Sequence, residues 1–546
     1  MLRKSLALLM VGLSIPACAR TWNAKTDWGA TGNGRTDDHR AIQRGVVRMA
    51  SGDTVIFPSP GTYYVASTVN FSVGGIRVKC ESGASLAAPN NGTDIFANIK
   101  SNTAIGGSAT TGCIFNGGGI QAYGAGGDSP QSPDQAVANL VFSYNTFQNM
   151  TYSPNDNFRT NGAIFLGGGS NNVVIRYNTF SNIMPYDSGY NAAPKDYMKQ
   201  YDPDGDAARA AIWFYGASNL IIDHNTFLHD YQNIKGCQGQ LYRASNILIH
   251  HNFSDSHHRM FLEINSGSGC GNPGNAGIAT FQVYDNYVVN AGGAHPYSLT
   301  FGFSAPFQET PVSGMVWYNN LLKGTSFPWE NTGIGMEAGG ENMNIHDNTI
   351  MSQWYCAGCA FGRSTGGYMQ NNYACITVPS HYNNAAFMEE HGPKTTTVTI
   401  RGNTTAGPCP VGLGSLAVSL GPVTNTSGTL SATANVTTVE YGMQGVVFAI
   451  DGHYVSAVMG GGPYKLSYGA AGLPSGAHTV TATVVDAVGL LAVSNKQNVL
   501  TTSGVGSSGP IGPDVDPSRQ DFDIAGNAND PINGRRATQP VETGRR

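Results

Sequence analysis

The sequence predicts an all-β chain, a parallel β-helix followed by a small β-sandwich, and three observations carry that reading. First, one short segment recurs: LVFSYNTF from Leu140, VVIRYNTF from Val173, LIIDHNTF from Leu220 and ILIHHNF from Ile247. It continues as FQVYDNYV from Phe281, MVWYNNLL from Met315, MNIHDNTI from Met343 and YMQNNYA from Tyr368. Its asparagines fall at 145, 178, 225, 252, 286, 320, 348 and 372, the spacing of a fixed coil with insertions of variable length. Second, these segments lack the 3.6-residue periodicity that helical repeats require. Third, 71 of 546 residues are Gly and only 12% are charged, which excludes a coiled coil or a charge-rich disordered polymer.

The elements follow in order. Arg3 and Lys4 precede an apolar run from Leu6 to Ile15 and then Ala17-Cys18-Ala19, the pattern of a secretory signal over residues 1–19. Pro16 and Arg20 fit a lipidated Cys18 poorly. No later run reaches the length of a bilayer span, so no membrane insertion is expected. The net charge of −5 offers no basic footprint for nucleic acid. Eight cysteines remain after the signal, an even number that points to disulfides in an exported chain. Residues 20–412 form the predicted β-helix, with apolar side chains alternating inward. The recurring Asn is placed at a bend, where it adopts αL geometry and bonds to its stacked copies.

Near the N-terminus, Asp27-Trp28-Gly29-Ala30, Gly32-Asn33-Gly34-Arg35-Thr36-Asp37-Asp38, Ala41-Ile42, Ile56-Phe57-Pro58 and Gly61-Thr62-Tyr63 resemble the opening motif of the pectate-lyase-like superfamily. The resemblance spans about residues 22 to 410. It implies a right-handed, single-stranded parallel β-helix, and a superfamily of lyases, hydrolases, epimerases and phage tailspikes. Asp37 or Asp38 is expected to cap a short helix. Ile42, Val46 and Val47 are expected to close the end of the core. Residues 413–500, with VVFAID from Val446 and HTVTATVVDAVG from His478, are similar to bacterial Ig-like domains. Residues 501–546 read as a disordered tail.

The chemistry is read from register. A six-residue step back from the bend asparagines aligns AIFLGGGSNN, AIWFYGASN and GIGMEAGGEN. That puts Leu166, Trp213 and Met336 in one inward column and Gly167, Phe214 and Glu337 in the next, outward one. RMFLEINSG then places Leu262 inward and an exposed Glu263 outward. One intervening coil separates Glu263 from Glu337 by roughly 9–10 Å, a spacing that suits the acid and base of an inverting glycosidase. The turns entering that column supply Asp230, Lys235, His258 and Arg259 as further catalytic candidates. His229, His257, Trp213, Tyr215 and Trp329 are candidates for substrate binding, the aromatics as sugar platforms. His224 and His251 fall on an outward polar column and read as a solvated face.

The function expected is a secreted enzyme that cleaves a polysaccharide, slightly favoured as a glycoside hydrolase needing no cofactor. The alternative is β-elimination on a uronate polymer, with Lys235, Arg259 or a His as base and Ca²⁺ at Asp202, Asp204 and Asp206. A third reading is a non-catalytic carbohydrate-binding or adhesive solenoid. The polygalacturonase signature and the Ca²⁺-and-Lys pattern of known pectate lyases are both unmatched.

Overall fold

The computed structural model describes residues 19–89, 93–108, 110–122, 136–151, 162–184, 210–228, 230–237, 242–255, 261–265, 278–291, 299–303, 312–324, 332–336, 340–352, 358–360, 365–376, 389–390, 398–408, 416–437, 443–451, 453–459, 462–470, 473, 475–486 and 491–501. Of residues 1–19, read above as a signal, only Ala19 is among them, and of residues 501–546 only Thr501. No helix among the described residues is long and apolar enough to cross a membrane.

Three parallel sheets run the length of the first region. Sheet A has 13 strands, from Thr21–Asn23 to Thr399–Arg401, and sheet B has 13, from Asn33–Asp37 to Thr404–Pro408. Sheet C has 11, from Val69–Asn70 to Glu389–Glu390. Each coil but the first and the last gives one strand to each sheet, and successive coils pair in parallel, so the chain is the parallel β-helix expected. One apolar cluster fills its interior. Within it Phe115, Phe147, Phe180 and Phe227 stack coil upon coil at 4.9, 5.2 and 4.9 Å.

Between sheets A and B the chain turns in two residues, and the recurring Asn is the second of them. The αL residue is the one before it: Tyr144, Tyr177, His224, His251, Asp285, Asn319, Asp347 and Asn371, all with φ between 52° and 58°. The Asn side chain points inward and is buried. Asn145 Nδ2 donates to Asn178 Oδ1 at 3.1 Å and to Ile105 O at 2.9 Å, while Asn145 N donates to the same Asn178 oxygen at 2.9 Å. The pattern repeats to Asn403. Stacking of the asparagines is therefore as expected, but the αL strain falls one residue earlier.

The one helix among the described residues, His39–Val47, closes the N-terminal end. Ile42 and Val46 enter the core, whereas Val47 is 60% exposed and does not. Asp38 occupies the N-cap position, yet its carboxylate receives Thr31 N, Thr31 Oγ1 and Gly32 N instead. Asp37 Oδ1 takes the His39 N–H at 3.0 Å. Gly45 lies against Trp28, where a Cβ would sit 1.9 Å from the indole. Gly45→Ala is accordingly expected to lose about 3 kcal/mol or more by overpacking; urea unfolding of the variant checks this.

From Ala417 to Thr501 the strands are antiparallel, in sheets of four and five, around a second apolar cluster that includes Leu430, Val446, Phe448, Leu466 and Val480. Cys80 and Cys113 form a disulfide between neighbouring coils, and Cys237 is also disulfide-bonded.

Candidate functional site

Sheet C presents one outward column whose register is set by its ladder. Gln121 pairs with Phe165, Phe165 with Trp213, Trp213 with Lys235 and Lys235 with Glu263. Glu263 then pairs with Gly302, and Gly302 with Gly335. Alternation makes the flanking residues inward: Ile212 and Phe214, Ile234 and Gly236, and Leu262 and Ile264, of which all but Gly236 join the core cluster.

This register corrects the one read from the sequence. Trp213 belongs with Glu263 on the outward column, and it is Phe214 that joins Leu166 inside. The reason is a turn of unequal length. Four residues (167–170) connect sheet C to sheet A in one coil and three (215–217) in the next, so counting back from the Asn shifts the strand by one. The intervening coil is present, but the residue level with Glu263 two coils along is Gly335. Glu337 lies outside the described residues.

Glu263 is outward as expected but 1% exposed. Its Oε2 accepts from Gln232 Nε2 at 2.7 Å, and its Oε1 lies 3.6 Å from Lys235 Nζ. Lys235 is not in a turn but in the strand Gln232–Cys237, 2% exposed, with Nζ 5.4 Å from the centre of the Trp213 ring. Trp213 and Tyr215 stack at 5.5 Å, and Phe165 meets both edge-on at 5.9 and 5.8 Å. Trp213 and Tyr215 are both partly exposed. The result is an aromatic platform abutting a clamped carboxylate.

Asp230 stands apart from that column. It is fully buried at the corner between sheets B and C, where Oδ1 accepts the Ile183 N–H at 2.9 Å and Oδ2 faces Asn233 Nδ2 at 3.4 Å. Burial raises its carboxyl well above the usual 3.8. The native state therefore holds a proton that the unfolded chain releases above its own pKa, so stability declines as pH rises from about 4. Asp230→Asn is expected to flatten that decline; denaturant midpoints between pH 4 and 8 measure it. His229, His257, His258, Arg259, Trp329, Asp202, Asp204 and Asp206 lie outside the described residues.

A second cluster lies on the outer side of the bend from sheet A to sheet B, and it overturns the reading of His224 and His251 as a solvated face. His224, His250 and His251 are 6%, 7% and 0% exposed. The last residue of each sheet A strand forms a column, Arg176, Asp223, His250, Tyr284, Tyr318 and His346, beside the αL column. Arg176 Nε and Nη2 each donate to Asp223 at 3.0 Å. Burial alone would raise the Asp223 carboxyl, but Arg176 and His224 hold it well below the usual range. Burial pushes His250 down to about 3 and His251 well below its ordinary value, so both rings are neutral at pH 7. Tyr177, His224 and His251 stack at 4.9 and 5.0 Å, as do His250, Tyr284 and Tyr318 at 4.7 and 4.8 Å.

No protein-family model matches the chain, and no curated protein does. Among solved structures, it is similar to an endo-xylogalacturonan hydrolase from Aspergillus tubingensis, at 14% identity over 71% of this chain and 93% of that one, with a TM-score of 0.39. It is similar to a surface adhesin of Streptococcus pneumoniae at 16% identity, over 77% and 99%, with a TM-score of 0.35. A GH87 alpha-1,3-glucanase from Streptomyces thermodiastaticus gives 12% identity, over 72% and 69%, and a TM-score of 0.40. These are pectin-lyase-like parallel β-helix proteins. At such identities the likeness carries nothing about function.

Reading the chain missed Gln232, which holds Glu263, and Phe165, which completes the platform. It also missed Arg176 and Asp223. Their signal was present, since Arg176, Asp223 and His250 all stand two residues before a bend Asn.

Proposed function

We propose that this chain is an exported enzyme that cleaves a polysaccharide on the outer face of sheet C, with Glu263 at the bond that breaks. The observation that supports this most is the Trp213–Tyr215 platform beside the Lys235–Glu263 pair on one face. Aromatic faces stack on the C–H faces of sugars, and a chain substrate crossing the platform is led along the column toward Glu263. Gln232 and Lys235 favour the carboxylate form of Glu263, the form a general base or nucleophile needs. The ammonium of Lys235 is in turn stabilised by Glu263 and is poorly suited to abstract a proton. That favours hydrolysis over an elimination with Lys235 as base.

In this reading Glu337, two residues beyond Gly335 in the chain, is the second carboxyl. His229, His257, His258, Arg259 and Trp329 are proposed to line the same groove. Hydrolysis by a carboxylate pair requires no metal, whereas elimination would recruit Ca²⁺ at Asp202, Asp204 and Asp206. The two separate apolar clusters support a division between catalytic and Ig-like regions near residue 412. The burial of Glu263 favours a second reading, a carbohydrate-binding solenoid in which the ion pair is structural.

Incubation of the mature protein with a panel of neutral and acidic polysaccharides tests all three. Reducing ends without ultraviolet absorbance are expected. An unsaturated-uronate absorbance would establish elimination instead, and binding without new reducing ends would leave the adhesive solenoid.

A further inference from the structure

We propose that Asp223, His224 and His250 bind one divalent transition-metal ion of the zinc type, on the outer side of the bend between sheets A and B. One donor atom from each of the three lies within 4.8 Å of the others, and all three side chains are buried. Two imidazoles and one carboxylate form a set that borderline ions such as zinc select, while calcium and magnesium take oxygen ligands. Bonds near 2.1 Å require the donors to converge by on the order of 1 Å. The ligands come from two consecutive coils, so the ion would tie those coils together.

What surrounds the donors separates this cluster from a chance grouping. Arg176 grips both oxygens of Asp223 at 3.0 Å and fixes the carboxylate plane, using two of its roughly four lone-pair sites. His224 Nδ1 sits 2.8 Å from Asp223 Oδ2, so imidazole and carboxylate already converge. His250 Nδ1 lies 2.8 Å from His251 Nδ1, so the ring of His250 is held in place by its neighbour. His251 Nε2 lies 3.6 Å from Asp285 Oδ2, a carboxylate behind the ring that faces His250. With His250 Nδ1 engaged by His251, Nε2 is the His250 nitrogen that remains to bind an ion. A hydrogen bond to the far nitrogen of a metal-binding imidazole orients its ring.

Charge and access agree. Two carboxylates against one guanidinium leave the cluster net negative before an ion binds. A cavity of about 250 Å³ reaches His224, Tyr177 and Thr226, bounded on its far side by Asp451, Tyr468 and Leu473 of the sandwich.

The test uses the full chain, stripped with chelator, loaded with zinc chloride and dialysed free of excess. Elemental analysis should find one zinc per chain, with a melting temperature several degrees above the stripped protein, since an ion bound only to the folded state stabilises it. Calcium chloride should produce neither effect. His250→Gln and His224→Gln should each lower retained zinc at least tenfold; either suffices if the other does not fold. His251→Gln, acting behind His250, should weaken affinity about 10–100-fold. Zinc retention by the wild type below about one-tenth per chain would overturn the assignment. So would folded variants that keep the wild-type zinc, which would then belong to cysteines or other surface groups. The readout is metal content, so it stands or falls separately from polysaccharide cleavage.

Discussion

Glu263→Gln should lower kcat on the cleaved polysaccharide at least about a hundredfold, because general acid–base work contributes 10²–10⁴-fold. The same change should also destabilise the fold. Glu263 and Lys235 are 1% and 2% exposed and 3.6 Å apart, so a neutral amide strands a buried ammonium, and breaking such a pair costs about 3–5 kcal/mol. That contradicts the small cost expected of an exposed glutamate and complicates any simple activity assay. A double variant separates the two effects. Lys235→Met with Glu263→Leu removes both charges, which is often neutral for stability, and should restore the denaturant midpoint without restoring turnover. If turnover returns together with stability, Glu263 has a structural role and the adhesive reading gains.

Asn286→Ala should be strongly destabilising, as should the same change at any interior ladder asparagine. Asn286 Oδ1 accepts Asn252 N at 3.1 Å and Asn252 Nδ2 at 2.9 Å, while its Nδ2 donates to Ile249 O and Asn320 Oδ1, both at 2.9 Å. Truncation removes the partner of Asn252 N and of Ile249 O, both buried in the preceding coil, whereas Asn252 Nδ2 keeps Ile222 O and Asn320 Oδ1 keeps Asn286 N. Each group left without a partner costs about 1–3 kcal/mol, so a total of about 4 kcal/mol is expected. Asn371→Gly is the contrast: that residue is exposed with φ near +53°, a conformation glycine takes freely, and the change should fall within about 0.5 kcal/mol. Chemical unfolding followed by circular dichroism compares the two. Equal midpoints would mean that the ladder follows the coil geometry rather than stabilising it.

The sequence by itself determined the solenoid. Apolar alternation and a recurring Asn are local signals repeated eight times, and each copy constrains the same coil. It also determined that Glu263 points outward, because the parity of RMFLEINSG survives any shift of the coil as a whole. It could not determine which residues share a column on sheet C. A turn one residue longer between Leu166 and Asn171 than between Phe214 and Ser218 moves every side chain by one place, and turn length is read only where hydrogen bonds show which residues pair. Burial was likewise decided by tertiary structure. An outward Glu or His is exposed or enclosed according to what lies over the sheet, and the sequence of a strand carries no record of that. Hence Glu263 and Lys235 proved to be a buried pair, and His224, His250 and His251, with Arg176 and Asp223, proved to be an enclosed polar cluster.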